Sequence, residues 1–307
     1  LEAARLEAAR IPESSERDLV NSHLDRAERH LAAVAARDDG ALTDWALANA
    51  GLPSRSTLDE AHRILERSTA DERAPETLTS EHVADAMRAA IADVGADGWT
   101  VQIFDQMAAQ CSVNGPRRRL RVRTGLAVSG AKLRRLVVHE VGGHVLRWEN
   151  SRRQAEELLS IPLGETVATE EGLAALLESR LGLLTEDQLR VYAARVVAVD
   201  SASSQGIVRV ARDLLNVVGE EDAVEIAVRV KRGLIDPNRP GGPTKDHGYL
   251  SGLRLLWALP ASDLGLLRAV KWPLEALPVL RELKVAGRLA PAHYDDEEAA
   301  GRWLSFL

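Results

Sequence analysis

His139-Glu140-Val141-Gly142-Gly143-His144 is the stretch that decides how this chain folds and what it holds. Imidazoles around a short spacer, with a carboxylate directly after the first, are the residue types that zinc hydrolases use. The imidazoles hold the metal, and the carboxylate handles the proton of the attacking water. In the common arrangement the histidines stand four apart and share one face of a helix. Here they stand five apart, and at ~100° per residue that leaves them about 140° apart on a regular α-helix. A single π-turn brings positions i and i+5 onto one face, and such turns favour functional sites. Gly142 and Gly143 mark where it would fall, because two glycines inside an apolar helix cost roughly 2 kcal/mol against alanine. The expectation is a widened turn at Gly142-Gly143 that aims His139 and His144 at one metal ion.

Around this stretch, Leu133, Leu136, Val137, Val141 and Val145 recur at helical spacing and predict a metal helix over 131–150. Upstream, Trp99–Phe104 and Arg118–Thr124 alternate as strands do, with Asn114-Gly115-Pro116 as the turn before the second. The second strand, with Arg117, Arg118, Arg119 and Arg121 on or beside it, is expected at a sheet edge. There it either aligns an extended acidic peptide or is simply a charged, solvated edge. Downstream, 151–168 reads as a loop, and Thr169 as the cap of a helix with Leu173, Leu176, Leu177 and Leu181 in its buried stripe. Thr185-Glu186-Asp187-Gln188 opens another helix, and more are expected near 206–218, 221–232 and 246–259. Residues 19–36, 42–50 and 56–67 are also helical in pattern, and Thr69–Glu76 reads as a linker. The fold class is therefore α+β and predominantly α-helical, with a small β-sheet beside the metal helix. An N-terminal helical region, 1–75, is expected to pack on a catalytic domain, 76–307.

Composition narrows the function. A net charge of −7 disfavours binding to nucleic acid or to a membrane surface. No apolar run reaches the ~18 residues of a membrane span. The single cysteine, Cys111, excludes a disulfide framework and a Cys-rich metal site. A cytoplasmic location is the default expectation.

Catalytic zinc usually takes three protein ligands and keeps one position open. The acidic pair in Thr169-Glu170-Glu171-Gly172, at a predicted helix start, supplies the third. Glu171 is the expected ligand, because Gly172 beside it would let the metal helix approach closely. Glu170 is then placed to orient a histidine. The competing reading of such a pair, plain compensation of the helix dipole, leaves the histidines without a third ligand.

Three ordered motifs now stand on the page: His139–His144, Glu170-Glu171-Gly172-Leu173-Ala174, and Gly242-Pro243-Thr244-Lys245-Asp246 with Tyr249, Leu250 and Gly252. With Arg229–Gly233 and the segment around Cys111–Asn114, they resemble the microtubule-associated tyrosine carboxypeptidases. They also resemble the bacterial relatives of that family, the flavohaemoglobin-expression-modulating proteins with a Gln-Glu-Gly-Leu-Ala motif. The resemblance covers roughly residues 100–255. It implies a zincin-like, largely helical metallopeptidase with one zinc ion on His139, His144 and Glu171 and with Glu140 as catalytic base. It further implies removal of a C-terminal residue from a peptide or protein tail. Glu170 stands where the bacterial motif has Gln, so it is not expected to be a ligand.

A carboxypeptidase also needs a donor for the oxyanion and a cation for the terminal carboxylate. Within the later motifs, Tyr249 suits the first role and Lys245 or Arg232 the second. His247 lies outside the match and reads as structural. Two rival functions remain: an endo- or aminopeptidase with the same metal site, and a zinc-stabilised binding protein without catalysis. Retention of Glu140 argues against the latter.

Overall fold

A computed structural model describes residues 1–12, 14–67, 75, 77–163 and 166–307. Residues 130–152 form one continuous helix in three parts: Gly130–Val137 is α-helical, Val138–Val145 is π-helical and Leu146–Arg152 is α-helical again. Ser129 caps this histidine helix by accepting from the Lys132 amide. The widened stretch coincides with the quoted motif. Val137, Val138, Val141 and Val145 turn into a core shared with Val83 and Met87 of the helix Ser80–Asp93.

The sheet lies on the other side of that core. Strands β2 (Thr100–Phe104) and β4 (Arg119–Arg123) match the expected pair, and β3 (Cys111–Asn114) joins them. The strand order is β2-β4-β3, with β2 parallel and β3 antiparallel to β4. The arginine strand β4 is thus central, not the expected edge, because hydrogen-bond ladders occupy both its sides. Leu120 and Val122 point into the core, so Arg119, Arg121 and Arg123 share the opposite face. There the Arg121 guanidinium stacks 4.3 Å from the centre of the Phe104 ring. A separate ladder pairs β1 (Leu78–Thr79) with β5 (Ala127–Val128).

The second element of the site is the glutamate helix, Val167–Arg180. It begins before Thr169, so Thr169 is not its cap; the Thr169 hydroxyl accepts from the Leu274 amide at 2.9 Å. This helix lies between two cores. Leu173 and Leu176 pack with Trp272 and Leu256, and Leu177 packs with Val141 and Trp303. Gly143 and Gly142 bring the histidine helix onto it: a Cβ on Gly143 would lie 2.6 Å from Ala174 Cβ, and one on Gly142 2.8 Å from Leu177 Cδ2. Gly172 does not serve that contact as expected. It faces the tyrosine helix Gly248–Trp257, where an added Cβ would lie 2.5 Å from the backbone of Gly252. Ala168 and Gly172 cross Gly248 and Gly252 there, so the two backbones touch without side chains between them.

The remaining helices fall close to expectation. Glu186–Ser204, Ile207–Val218 and Glu220–Lys231 follow in order, the first capped by Thr185 and the last followed by Gly233 at φ 88°. Toward the N-terminus, Ser15–Ala36, Asp39–Ala50 and Arg55–Arg67 are helical. They are tied to the rest of the chain. Asp39 accepts from the amides of Ile235 and Asp236 at 2.6 and 3.1 Å, and Thr244 donates to Ala46 O at 2.9 Å. Apart from Pro75, the expected linker 69–76 lies outside the described residues, as does Gly164 of the expected loop. Among the described residues no helix is long and apolar enough to cross a membrane.

Candidate metal centre and its cleft

The π-turn does to the histidines what their spacing requires. Their ring centroids lie 5.0 Å apart, at an interplanar angle of 79°. Each ring turns one nitrogen toward Glu171: His139 Nε2 is 3.3 Å and His144 Nε2 3.7 Å from Glu171 Oε2. Ligands on a tetrahedral ion at bond lengths of about 2.0–2.1 Å stand ~3.3–3.4 Å apart. Glu171 Oε2 stands at or near that distance from both rings, the three donor atoms lie within 4.8 Å of one another, and two imidazoles with one carboxylate suit a small divalent ion chemically.

The other nitrogen of each ring meets a second carboxylate. His144 Nδ1 lies 3.2 Å from Glu170 Oε2, so Glu170 is within reach of the ring it was expected to orient. Arg147, one helical turn beyond His144, pairs with the same carboxylate, and Lys271 donates to it at 2.7 Å. Arg147 is itself held by the carbonyls of Leu267, Val270 and Trp272. His139 Nδ1 lies 2.6 Å from Glu178 Oε1. Sequence reasoning missed Glu178. Its signal was an acid seven residues after Glu171, inside the apolar stripe of the same helix, where two helical turns return to the same face.

The electrostatics follow from packing carboxylates around imidazoles in a dry site. Burial pulls both histidines down, but hydrogen bonds and negative charge override it. His139, between Glu171 and Glu178, is raised to about 10, and His144, between Glu170 and Glu171, to about 9. Burial alone would raise Glu171, yet hydrogen bonds from the two rings hold it well below the usual carboxylate range. An anion poised between two bases is what a metal ion would bind in place of protons.

Glu140, next to His139, is buried and opens onto a cleft of about 860 Å³. Tyr249 stands on the cleft wall between two rings. It stacks with His139 at 6.1 Å and with Tyr192 at 5.0 Å, and Arg195 lies 4.5 Å from its centroid. Burial and the Glu171 charge push its hydroxyl upward, so it stays a proton donor at neutral pH. Arg195 and Arg229 both line the cleft. Arg195 Nε is buried and has no hydrogen-bond partner among the described residues. Arg229 is held by Asp246 through Nε at 3.1 Å and Nη2 at 3.3 Å.

The structure does not bring Lys245 or Arg232 to this cleft. Lys245 is exposed, and Arg232 grips Asp246 with both terminal nitrogens at 3.1 Å. His247 bridges Ala50 O and the Ser251 hydroxyl, each at 3.0 Å, which is a structural role. Cys111 lines the cleft from β3, and burial raises its thiol well above the ordinary value.

The family described as "Microtubule-associated tyrosine carboxypeptidase" matches residues 2–306. Among curated proteins, the mouse "Microtubule-associated tyrosine carboxypeptidase 1" is 32% identical over 165 residues, 51% of this chain and 34% of that protein. The human protein of the same name is 34% identical over 122 residues, 38% of this chain and 25% of its own length. The chain thus aligns with about a third or less of these relatives. With a family match that runs almost from end to end, the chain belongs to the microtubule-associated tyrosine carboxypeptidase family.

Proposed function

We propose that this chain is a zinc-dependent carboxypeptidase that removes the C-terminal residue of a peptide or protein tail. The observation that carries the reading is the His139–His144–Glu171 cluster, whose His139 lines, beside Glu140, a cleft walled by Tyr249, Arg195 and Arg229. His139, His144 and Glu171 would hold one zinc ion per chain, which would supply a water of lowered pKa, about 7, and a Lewis acid for the carbonyl.

The chain's own residues do the rest. Glu140 takes the proton of the attacking water and passes it to the leaving amine. Tyr249, kept protonated by its surroundings, donates to the oxyanion of the tetrahedral intermediate. Arg195 and Arg229 take over the role that Lys245 and Arg232 were expected to fill. Both line the cleft, and their forked donors suit the terminal carboxylate. The fold would then be used as zincins use theirs, and the cytoplasmic location expected from composition belongs to the same reading.

The name of the relatives makes a C-terminal tyrosine the first residue to test. A peptide library with free and amidated C-termini, read by mass spectrometry, is the experiment. Loss of single residues from free ends alone supports the proposal. Equal cleavage of amidated peptides would replace it with an endo- or aminopeptidase, and intact peptides throughout with a binding protein.

A further inference from the structure

Four side chains close a ring at the metal centre. His139 meets Glu178, Glu178 accepts from the Tyr192 hydroxyl, Tyr192 stacks on Tyr249, and Tyr249 stacks on His139. We propose that Glu178 is a positioning residue for the metal site: it fixes the Nδ1–H tautomer of His139, aims Nε2 at the ion, and through Tyr192 keeps Tyr249 against the same ring. This inference rests on the metal reading above.

The geometry favours Glu178 over a merely structural buried acid. It is completely buried, yet its closest partner is the ligand, at 2.6 Å. The same oxygen also takes Arg135 Nη1 at 3.2 Å and the Tyr192 hydroxyl at 3.2 Å. These donors satisfy the carboxylate in a dry core. A carboxylate that accepts from Nδ1–H makes the opposite nitrogen a better donor and fixes where it points. His144 has the matching arrangement with Glu170, so both imidazoles are backed by carboxylates from the helix that carries Glu171. The Tyr192 link adds a second consequence. The ring that packs on Tyr249 is anchored by its own hydroxyl to the carboxylate that anchors the ligand.

The test compares zinc affinity of the wild type with that of Glu178→Gln, by competition with a chelator of known strength. Glu178→Gln keeps the shape and removes the charge, and an affinity loss of about 10–100-fold is expected. In the zinc-loaded wild type, long-range ¹H–¹⁵N spectra should place the remaining His139 proton on Nδ1. If Glu178→Gln leaves Arg135 uncompensated and fails to fold, the double variant Glu178→Gln/Arg135→Gln removes the buried cation as well, and the same loss is expected. Wild-type zinc affinity in a folded variant overturns the inference, as does a His139 proton on Nε2. A wild type that takes up no zinc would instead overturn the metal reading itself.

Discussion

Gly143 and Ala174 meet where the histidine helix crosses the glutamate helix, with room between them for a hydrogen atom and not for a methyl group. The π-turn and the close crossing share the same glycines, so the spacing of His139 and His144 and their distance from Glu171 are set together. Gly143→Ala should therefore do more than add a methyl group to the core. Overpacking of about 1–3 kcal/mol is expected, along with weaker zinc binding as Glu171 is pushed from the imidazoles. Thermal denaturation with and without zinc separates the two effects. A variant that melts like the wild type and binds zinc as well would show that the crossing has slack.

Glu140→Gln should keep zinc at one equivalent and lose turnover by a factor of about 10²–10⁴, the usual worth of a positioned acid–base group. Metal analysis and a single-turnover assay on the same preparation check it. Retained activity would remove Glu140 from the role of base.

Tyr249→Phe keeps the stacked ring and removes only the hydroxyl. If the phenol serves the oxyanion, kcat should fall about 10²–10³-fold with little change in KM. A rise in KM at constant kcat would mean that Tyr249 contacts the substrate in its ground state instead.

The two assignments of the carboxylate anchor make opposite forecasts. Arg195→Met and Arg229→Met should each raise KM for peptides with a free C-terminus, whereas Lys245→Ala, which alters an exposed side chain, should not. Initial-rate kinetics on one peptide suffice. A KM that responds to Lys245 and not to the arginines would restore the assignment read from sequence.

Asp246 offers a pH test of the cleft wall. Burial would raise its pKa, but Arg229 and Arg232 override this and hold it well below the unfolded value of 3.8. A carboxyl group depressed by folding stabilises the native state fully above its unfolded pKa, and that contribution fades as pH falls through the folded one. Asp246→Asn should accordingly cost about 3 kcal/mol at pH 7, as expected when one partner of a buried pair is removed. The gap from wild type should narrow below pH 3.8. Urea denaturation across that range reads it directly, and a gap independent of pH would mean that the charge of Asp246 contributes nothing.

The histidine motif was legible because its departure from the common spacing and its two glycines admit one geometric solution. Glu171 and Glu170 do stand beside the two rings; sequence pointed to them because two histidines on one helix call for an acid from a neighbouring one. Glu178 stayed hidden: one acid in an apolar stripe gives no sign of its partner until the helices are packed. Lys245 was singled out for its place in a motif, but Asp246 beside it is the buried member, and it acts by holding Arg229. Strand order failed for a related reason. Alternation tells which residues share a face, but not how many neighbours a strand has, and only β3, unrecognised as a strand, put the arginines in the middle.

The bare crossing of Ala168 and Gly172 over Gly248 and Gly252 has a consequence beyond compactness. Helices separated by side chains can shift as rotamers change, whereas two backbones in direct contact have no padding to deform. Glu171 is the neighbour of Gly172, and Tyr249 the neighbour of Gly248. The offset between the Glu171 carboxylate and the Tyr249 phenol is therefore indexed by main chain alone, like two rules clamped edge to edge. Drift elsewhere in the molecule can rework the cleft's outer walls without losing that alignment.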